Sequence, residues 1–156
     1  MIDLNEHFND ILIELADSGA DFVLIGGYAM AFHGHVRATK DLDVLVRATR
    51  ENAAKVYSAL AQFGAPMSSL KTSEGDLSEA GNVLQVGVPP NRIDILTAVS
   101  GITFDEAISG GRIFELDGRQ IPVIDVSELI VNKRAAGREQ DIADVKVLSQ
   151  SVKDGE

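Results

Sequence analysis

Residues 23 to 46 read VLIGGYAMAFHGHVRATKDLDVLV, and few folds accommodate that order of parts. The apolar run Phe22 to Ile25 is short and uninterrupted, as a buried strand is. The pair Gly26-Gly27 turns the chain into a short helix, Tyr28 to Phe32, which Gly34 stops. A polar, basic connection from His35 to Lys40 leads into a second strand, Asp41 to Val46. A unit of this kind holds phosphate and metal close together. The glycines let a phosphate approach the backbone N–H groups at a helix N-terminus, where the dipole favours anions. Asp41 and Asp43, two apart on a strand, project from one face while Leu42 points to the other. Carboxylates so close repel each other unless a cation or a proton lies between them. Oxygen ligands of this type suit magnesium or manganese shared with substrate phosphates.

A third acid sharpens the site. In Asn91-Arg-Ile-Asp-Ile-Leu96, Asp94 stands between two isoleucines on an expected strand, where an unpartnered charge is costly. If that strand lies beside the one carrying Asp41 and Asp43, three carboxylates converge. Two metal ions held there suit phosphoryl transfer, because they clamp the attacking and leaving oxygens.

The remaining elements follow from periodicity and punctuation. Leu4, Phe8, Ile11, Leu12 and Leu15 have helical spacing up to Ser18, and Gly19 ends that helix. Thr49 caps a helix from Arg50 to Phe63, with Gly64 beyond its end. Ala65 to Gly81, rich in Ser, Gly and acidic residues, reads as a mobile loop over the site. Val83 to Val88 and Arg92 to Leu96 form one hairpin about Pro89-Pro90-Asn91, and Ile113 to Leu116 with Gln120 to Val123 form another about Asp117-Gly118. Ser127 caps a helix running to Ala136, Gly137 breaks it, and a last helix covers Gln140 to Gln150 with Ile142, Val145 and Leu148 inward. The expectation is one domain over residues 1–156, of α/β (α+β) class: a small mixed β-sheet with helices packed on it.

Charge and composition narrow the partners. A net charge of −10 opposes broad binding to DNA or any nucleic-acid backbone, although Lys133, Arg134 and Arg138 form a local basic patch. No apolar stretch reaches the roughly 18 to 20 residues that span a bilayer. The first residues read as an amphipathic helix, not a signal peptide. The absence of cysteine excludes disulfides and thiolate zinc sites, and fits a cytoplasmic protein.

Gly26-Gly27, thirteen residues, Asp41-Leu-Asp43 and a later lone Asp94 on a strand together resemble the signature of the DNA polymerase β-like nucleotidyltransferase superfamily. Within it the chain looks most like small bacterial nucleotidyltransferases of the abortive-infection toxin type, which carry an Arg and a Ser or Thr before the paired acids, here Arg37 and Thr39. Their further Lys, Arg, Asp, Asp arrangement matches Lys133, Arg138, Asp141 and Asp144. The resemblance covers about Phe22 to Leu148. It implies that Gly26 and Gly27 cradle a triphosphate, with Arg37, Thr39 and Arg138 also toward the nucleotide. It further implies that Asp41, Asp43 and Asp94 bind Mg2+ or Mn2+, that Asp94 acts on the acceptor hydroxyl, and that Lys133 neutralises phosphate charge. Tyr28 departs from the small residue many members carry there, and is expected to narrow the phosphate pocket or withhold a hydroxyl contact.

The function implied is metal-dependent transfer of a nucleoside monophosphate from a nucleoside triphosphate (NTP) to a hydroxyl, on an RNA 3′ end, a protein side chain or a small molecule. A place in a toxin–antitoxin or phage-defence pair, with a partner protein, goes with the resemblance. Two rivals stand beside it. One is a sugar-nucleotide glycosyltransferase, for which only forty residues precede Asp41; the other is a non-catalytic nucleotide- or metal-binding module that acts through a protein partner. Each residue also has a plainer reading. A glycine pair after a strand is usually a tight turn, Asp-x-Asp is usually a solvated turn, and Lys133 on a helix is by default solvated. Asp141 and Asp144 suit the start of a helix as well as they suit chemistry. His33 and His35, without a third ligand, read as structural or loop contacts.

Overall fold

The computed structural model describes residues 4–35, 41–70, 73–88 and 90–154. The chain forms helix α1 (Glu6–Asp17), strand β1 (Phe22–Ile25), helix α2 (Gly26–Phe32), strand β2 (Asp41–Val46) and helix α3 (Arg50–Phe63). Strands β3 (Val83–Val86) and β4 (Arg92–Leu96), helix α4 (Phe104–Ile108), strands β5 (Arg112–Leu116) and β6 (Arg119–Val123), and helices α5 (Val126–Ala136) and α6 (Glu139–Asp154) complete it. Among the described residues the strands form one six-stranded mixed sheet in the order β3-β4-β2-β1-β6-β5. β1 pairs antiparallel with β2 and parallel with β6, and β2 pairs parallel with β4. The expected mixed sheet covered by helices is the fold observed.

The element ends follow local chemistry. Asn5 accepts a hydrogen bond from the Phe8 N–H and starts α1 at Glu6, two residues later than the apolar spacing alone. Thr49 accepts from the Asn52 N–H, and Gly64 ends α3 in a left-handed conformation, as the sequence indicates. The Asp117-Gly118 turn has positive φ at both positions (47° and 79°), the requirement of the tight hairpin joining β5 to β6. Phe8, Ile11, Leu12 and Leu15 lie fully buried against α3 and the sheet. Full burial of such a side chain contributes about 1.5–3 kcal/mol, which holds α1 far more firmly than helix propensity can.

Three expectations are corrected, and one element was missed. Ser127 does not cap α5; Asp125 occupies the cap position, without a side-chain cap bond, and Ser127 lies in the first turn. Ile142 faces outward, 53% exposed, because the buried face of α6 is set by Asp141, Asp144 and Leu148. Residues 65–81 do not lid the site in their described part. Leu77 is fully buried and anchors a short turn against α3, and the Asn82 amide donates to the Asp76 carbonyl. The short helix α4 was not foreseen, although Thr103 and Glu106 form a reciprocal capping box readable from Thr-x-x-Glu.

Candidate active site

The parallel register of β2 and β4 builds the acidic face. Asp41 lies opposite Arg92, Leu42 opposite Ile93 and Asp43 opposite Asp94. Because strand side chains alternate, the apolar partners Leu42, Ile93 and Ile95 enter the core while Asp41, Asp43, Arg92 and Asp94 share the other face. β1 delivers Gly26 to the same place, since Ile25 pairs with Asp43. These groups line a cleft of about 540 Å³, closed opposite the sheet by Asn132, Lys133, Ala136, Arg138 and Asp141.

Gly26 is required here for space as much as for turning. Its φ is +71°, and a Cβ added to it would stand 2.3 Å from Asp43 Oδ2 and 3.1 Å from both Asp43 Cβ and Cγ. The carboxylate of Asp43 therefore occupies the volume that only glycine leaves open. Gly27 follows in the first turn of α2. Tyr28 does not narrow the cleft: its ring meets Phe8 edge-on at 5.3 Å, within the packing around α1.

Electrostatics within the cluster are unbalanced. Burial, the adjacent Asp94 charge, a hydrogen bond with Asp94 and the Asp41 charge push the Asp43 carboxyl up to about 7, against the opposing pull of Arg92. Asp94 is buried, and its Oδ1 has no hydrogen-bond partner. The Nη2 of Arg92 lies 3.1 Å from Oδ2 of Asp41 and 3.1 Å from Oδ2 of Asp94. Among the described residues, no three His, Asp or Glu side chains are drawn together into a group able to hold an ion as they stand. The donor set still suits a divalent cation. Asp41 and Asp94 share one guanidinium, Asp43 adjoins Asp94, a buried oxygen is unsatisfied, and one acid is driven toward neutrality.

The opposite wall is a second ionic cluster. Lys133 is buried, its Nζ 2.8 Å from Asp144 Oδ2 and 3.7 Å from Asp141 Oδ1. The solvated reading of this lysine is thus overturned. Burial raises the Asp141 carboxyl, but hydrogen bonds from the Arg138 side chain (2.7 Å) and backbone N–H outweigh it and hold the acid below its usual range. Arg138 keeps most of its side chain exposed at the cleft mouth. Gln140 donates to the second oxygen of Asp144. Asp141 and Asp144 therefore position two cations on a site wall, besides starting α6.

The histidines make structural contacts, His33 Nε2 lying 2.7 Å from the Ile124 carbonyl and His35 Nε2 2.9 Å from the Ser151 hydroxyl. Arg37 and Thr39 lie outside the described residues. The residue that sequence reasoning missed is Arg92. Its signal was its spacing, since a residue two before Asp94 on a strand must share the face of that acid.

The family model described as Nucleotidyl transferase of unknown function (DUF2204) matches residues 5–156. No curated protein matches the chain by sequence. Among solved structures, the antibiotic-resistance factor ANT(2'')-Ia is 13% identical with a TM-score of 0.62, over 94% of this chain and 82% of that one. Lincomycin-bound LnuA, a lincosamide antibiotic adenylyltransferase, is 14% identical with a TM-score of 0.61, over 96% and 98%. An antigenic nucleotidyltransferase-like protein from Paracoccidioides brasiliensis is 12% identical with a TM-score of 0.54, over 90% and 72%. At these identities the likeness to the three structures is one of fold.

Proposed function

Because this chain belongs to that family of nucleotidyl transferases, we propose that it moves a nucleoside monophosphate from an NTP to a hydroxyl acceptor, with Asp41, Asp43 and Asp94 holding Mg2+ or Mn2+. The observation that carries this reading is the in-register meeting of the three acids on β2 and β4, at a cleft whose far wall carries Lys133 and Arg138. Bound there, divalent metal supplies charge neutralisation for the attacking and leaving oxygens of phosphoryl transfer. Asp94, buried and with one free oxygen, is the candidate to draw the proton from the acceptor hydroxyl. Arg138, exposed at the mouth, meets triphosphate charge, while Lys133, already paired with Asp141 and Asp144, lends a fixed positive end to the same wall. Gly26, Gly27, Arg37 and Thr39 complete the proposed nucleotide contacts. Leu96, Ala98, Val99 and Ala136 give the cleft an apolar side for the less polar part of a substrate.

The acceptor is drawn from three classes: an RNA 3′ end, a protein hydroxyl or a small molecule. One structural relative is by name an antibiotic-resistance factor and another a lincosamide antibiotic adenylyltransferase, which supports the small molecule. The sequence resemblance supports a toxin–antitoxin or phage-defence setting with a partner protein, and the absence of cysteine supports a cytoplasmic location. Among the described residues, no helix is long and apolar enough to cross a membrane.

Thermal unfolding with and without MnCl2 tests the metal site. Wild type is expected to melt higher with manganese and Asp43→Asn to be indifferent to it. Equal manganese stabilisation of both proteins contradicts the assignment.

A further inference from the structure

Arg92 stands among the carboxylates proposed to take a cation. One guanidinium nitrogen bridges Asp41 and Asp94, 3.1 Å from each, across two neighbouring strands. The register forces this placement, because Arg92 pairs with Asp41 and sits two residues before Asp94. Yet the arrangement is incomplete. Arg92 Nε and Asp94 Oδ1 are both buried without hydrogen-bond partners. Arg92 brings a delocalised single charge to acids that a compact divalent ion would hold better.

We infer that Arg92 is a resident counter-cation that must leave Asp41 and Asp94 before divalent metal takes them, and that the triphosphate is the anion that receives the freed guanidinium. This rests on the reading of the three acids as metal ligands. Arg92 lines the same cleft and is about one-third exposed, so its head has somewhere to swing. The consequence is coupling. Metal alone must displace Arg92 and so binds weakly, whereas nucleotide removes that competition by engaging the guanidinium, and each ligand strengthens the other. Arg92 is a positioning residue in this account: it keeps the metal-free acids together and sets the order in which ligands arrive.

The experiment is an Mn2+ titration, read by the loss of the free-ion magnetic resonance signal, on wild type, Arg92→Gln and Asp43→Asn. Each is titrated alone and with an ATP analogue carrying a methylene bridge between its α- and β-phosphorus atoms, with the analogue's own Mn2+ complex measured without protein and subtracted. Arg92→Gln is expected to bind Mn2+ alone on the order of tenfold more tightly than wild type, a usual size for coupling between sites. The analogue's enhancement of Mn2+ affinity should shrink by the same factor. A folded Arg92→Gln that binds Mn2+ alone no more tightly than wild type overturns the inference. Should that variant not fold, Mg2+ is added to the wild type and the guanidinium N–H resonance of Arg92 is followed, with Arg92→Lys supplying the assignment. A shifted resonance supports displacement, and an unmoved one at saturating Mg2+ overturns it. Asp43→Asn separates the two readings: if it binds Mn2+ as well as wild type, the metal site itself fails whatever Arg92 does.

Discussion

Replacing Gly26 with alanine separates the cost of backbone strain from the cost of moving a ligand. Gly26 has φ +71°, and Gly19 has φ +74° with nothing within 4 Å of its would-be Cβ. Either glycine changed to alanine places a side chain in the left-handed region, at roughly 1–2 kcal/mol. For a domain of this size each kcal/mol is worth about 2–4 °C of melting temperature, so both variants should lose roughly 2–8 °C. Only Gly26→Ala meets a further obstacle. The Asp43 carboxylate can rotate away from the 2.3 Å clash, but Asp43 Cβ, at 3.1 Å, cannot rotate and must shift with its strand. That shift is a few tenths of an ångström, and together with the rotation it takes the carboxylate oxygens out of the position they hold beside Asp94. Gly19→Ala should therefore keep the full manganese-induced rise in melting temperature, and Gly26→Ala should lose most of it. The assay is differential scanning fluorimetry of the three proteins with and without MnCl2. A Gly26→Ala protein that responds to manganese as strongly as Gly19→Ala would refute the claim that this glycine exists to make room for Asp43.

Two further outcomes follow from the ionic groups. Asp43 is raised to about 7 from an ordinary value near 3.8, so between those pH values the folded protein holds a proton that the unfolded chain has released. Metal-free stability contributed by this group is thus lost as pH rises from about 4 to 7, and manganese, which competes with that proton, should bind more tightly up to about pH 7 and level off above it; isothermal titration across pH 5 to 8 checks this. Lys133→Ala leaves Asp144 and Asp141 buried with less compensation, at about 3–5 kcal/mol, so it should melt well below wild type, and adding Asp144→Asn should recover part of the loss in a scanning calorimeter.

Much of the fold could be read before the structure because its signals are local. Thr49, Gly64 and Asp117-Gly118 fix element ends by their own backbone and side-chain chemistry, and α3 and the β5–β6 hairpin lie where those residues put them. The acids were legible for a similar reason, since Asp41 and Asp43 share a strand face whatever lies beside them. That β4 would be the neighbour of β2 was a condition the sequence could state but not meet, because strand order depends on the whole sheet. Ile142 was misread because α6 packs through a charged seam with α5, so the apolar period ceased to report which face was buried. Arg92 escaped because its partner Asp41 is fifty-one positions away in sequence and adjacent only through the parallel register.

If the three in-register acids support nucleotidyl transfer, removing either Asp43 or Asp94 must stop it. The most direct test is incubation of wild type, Asp43→Asn and Asp94→Ala with α-labelled NTPs, Mg2+ or Mn2+ and a cell extract, followed by separation into RNA, protein and small-molecule fractions. Asp94→Ala should remain folded, because Arg92 keeps Asp41 as a partner and Asp43 loses a repelling neighbour. Label is expected in one fraction with wild type and none above background with either folded variant. Equal labelling by wild type and both variants, or wild type that binds metal and nucleotide yet labels no fraction, would contradict this expectation.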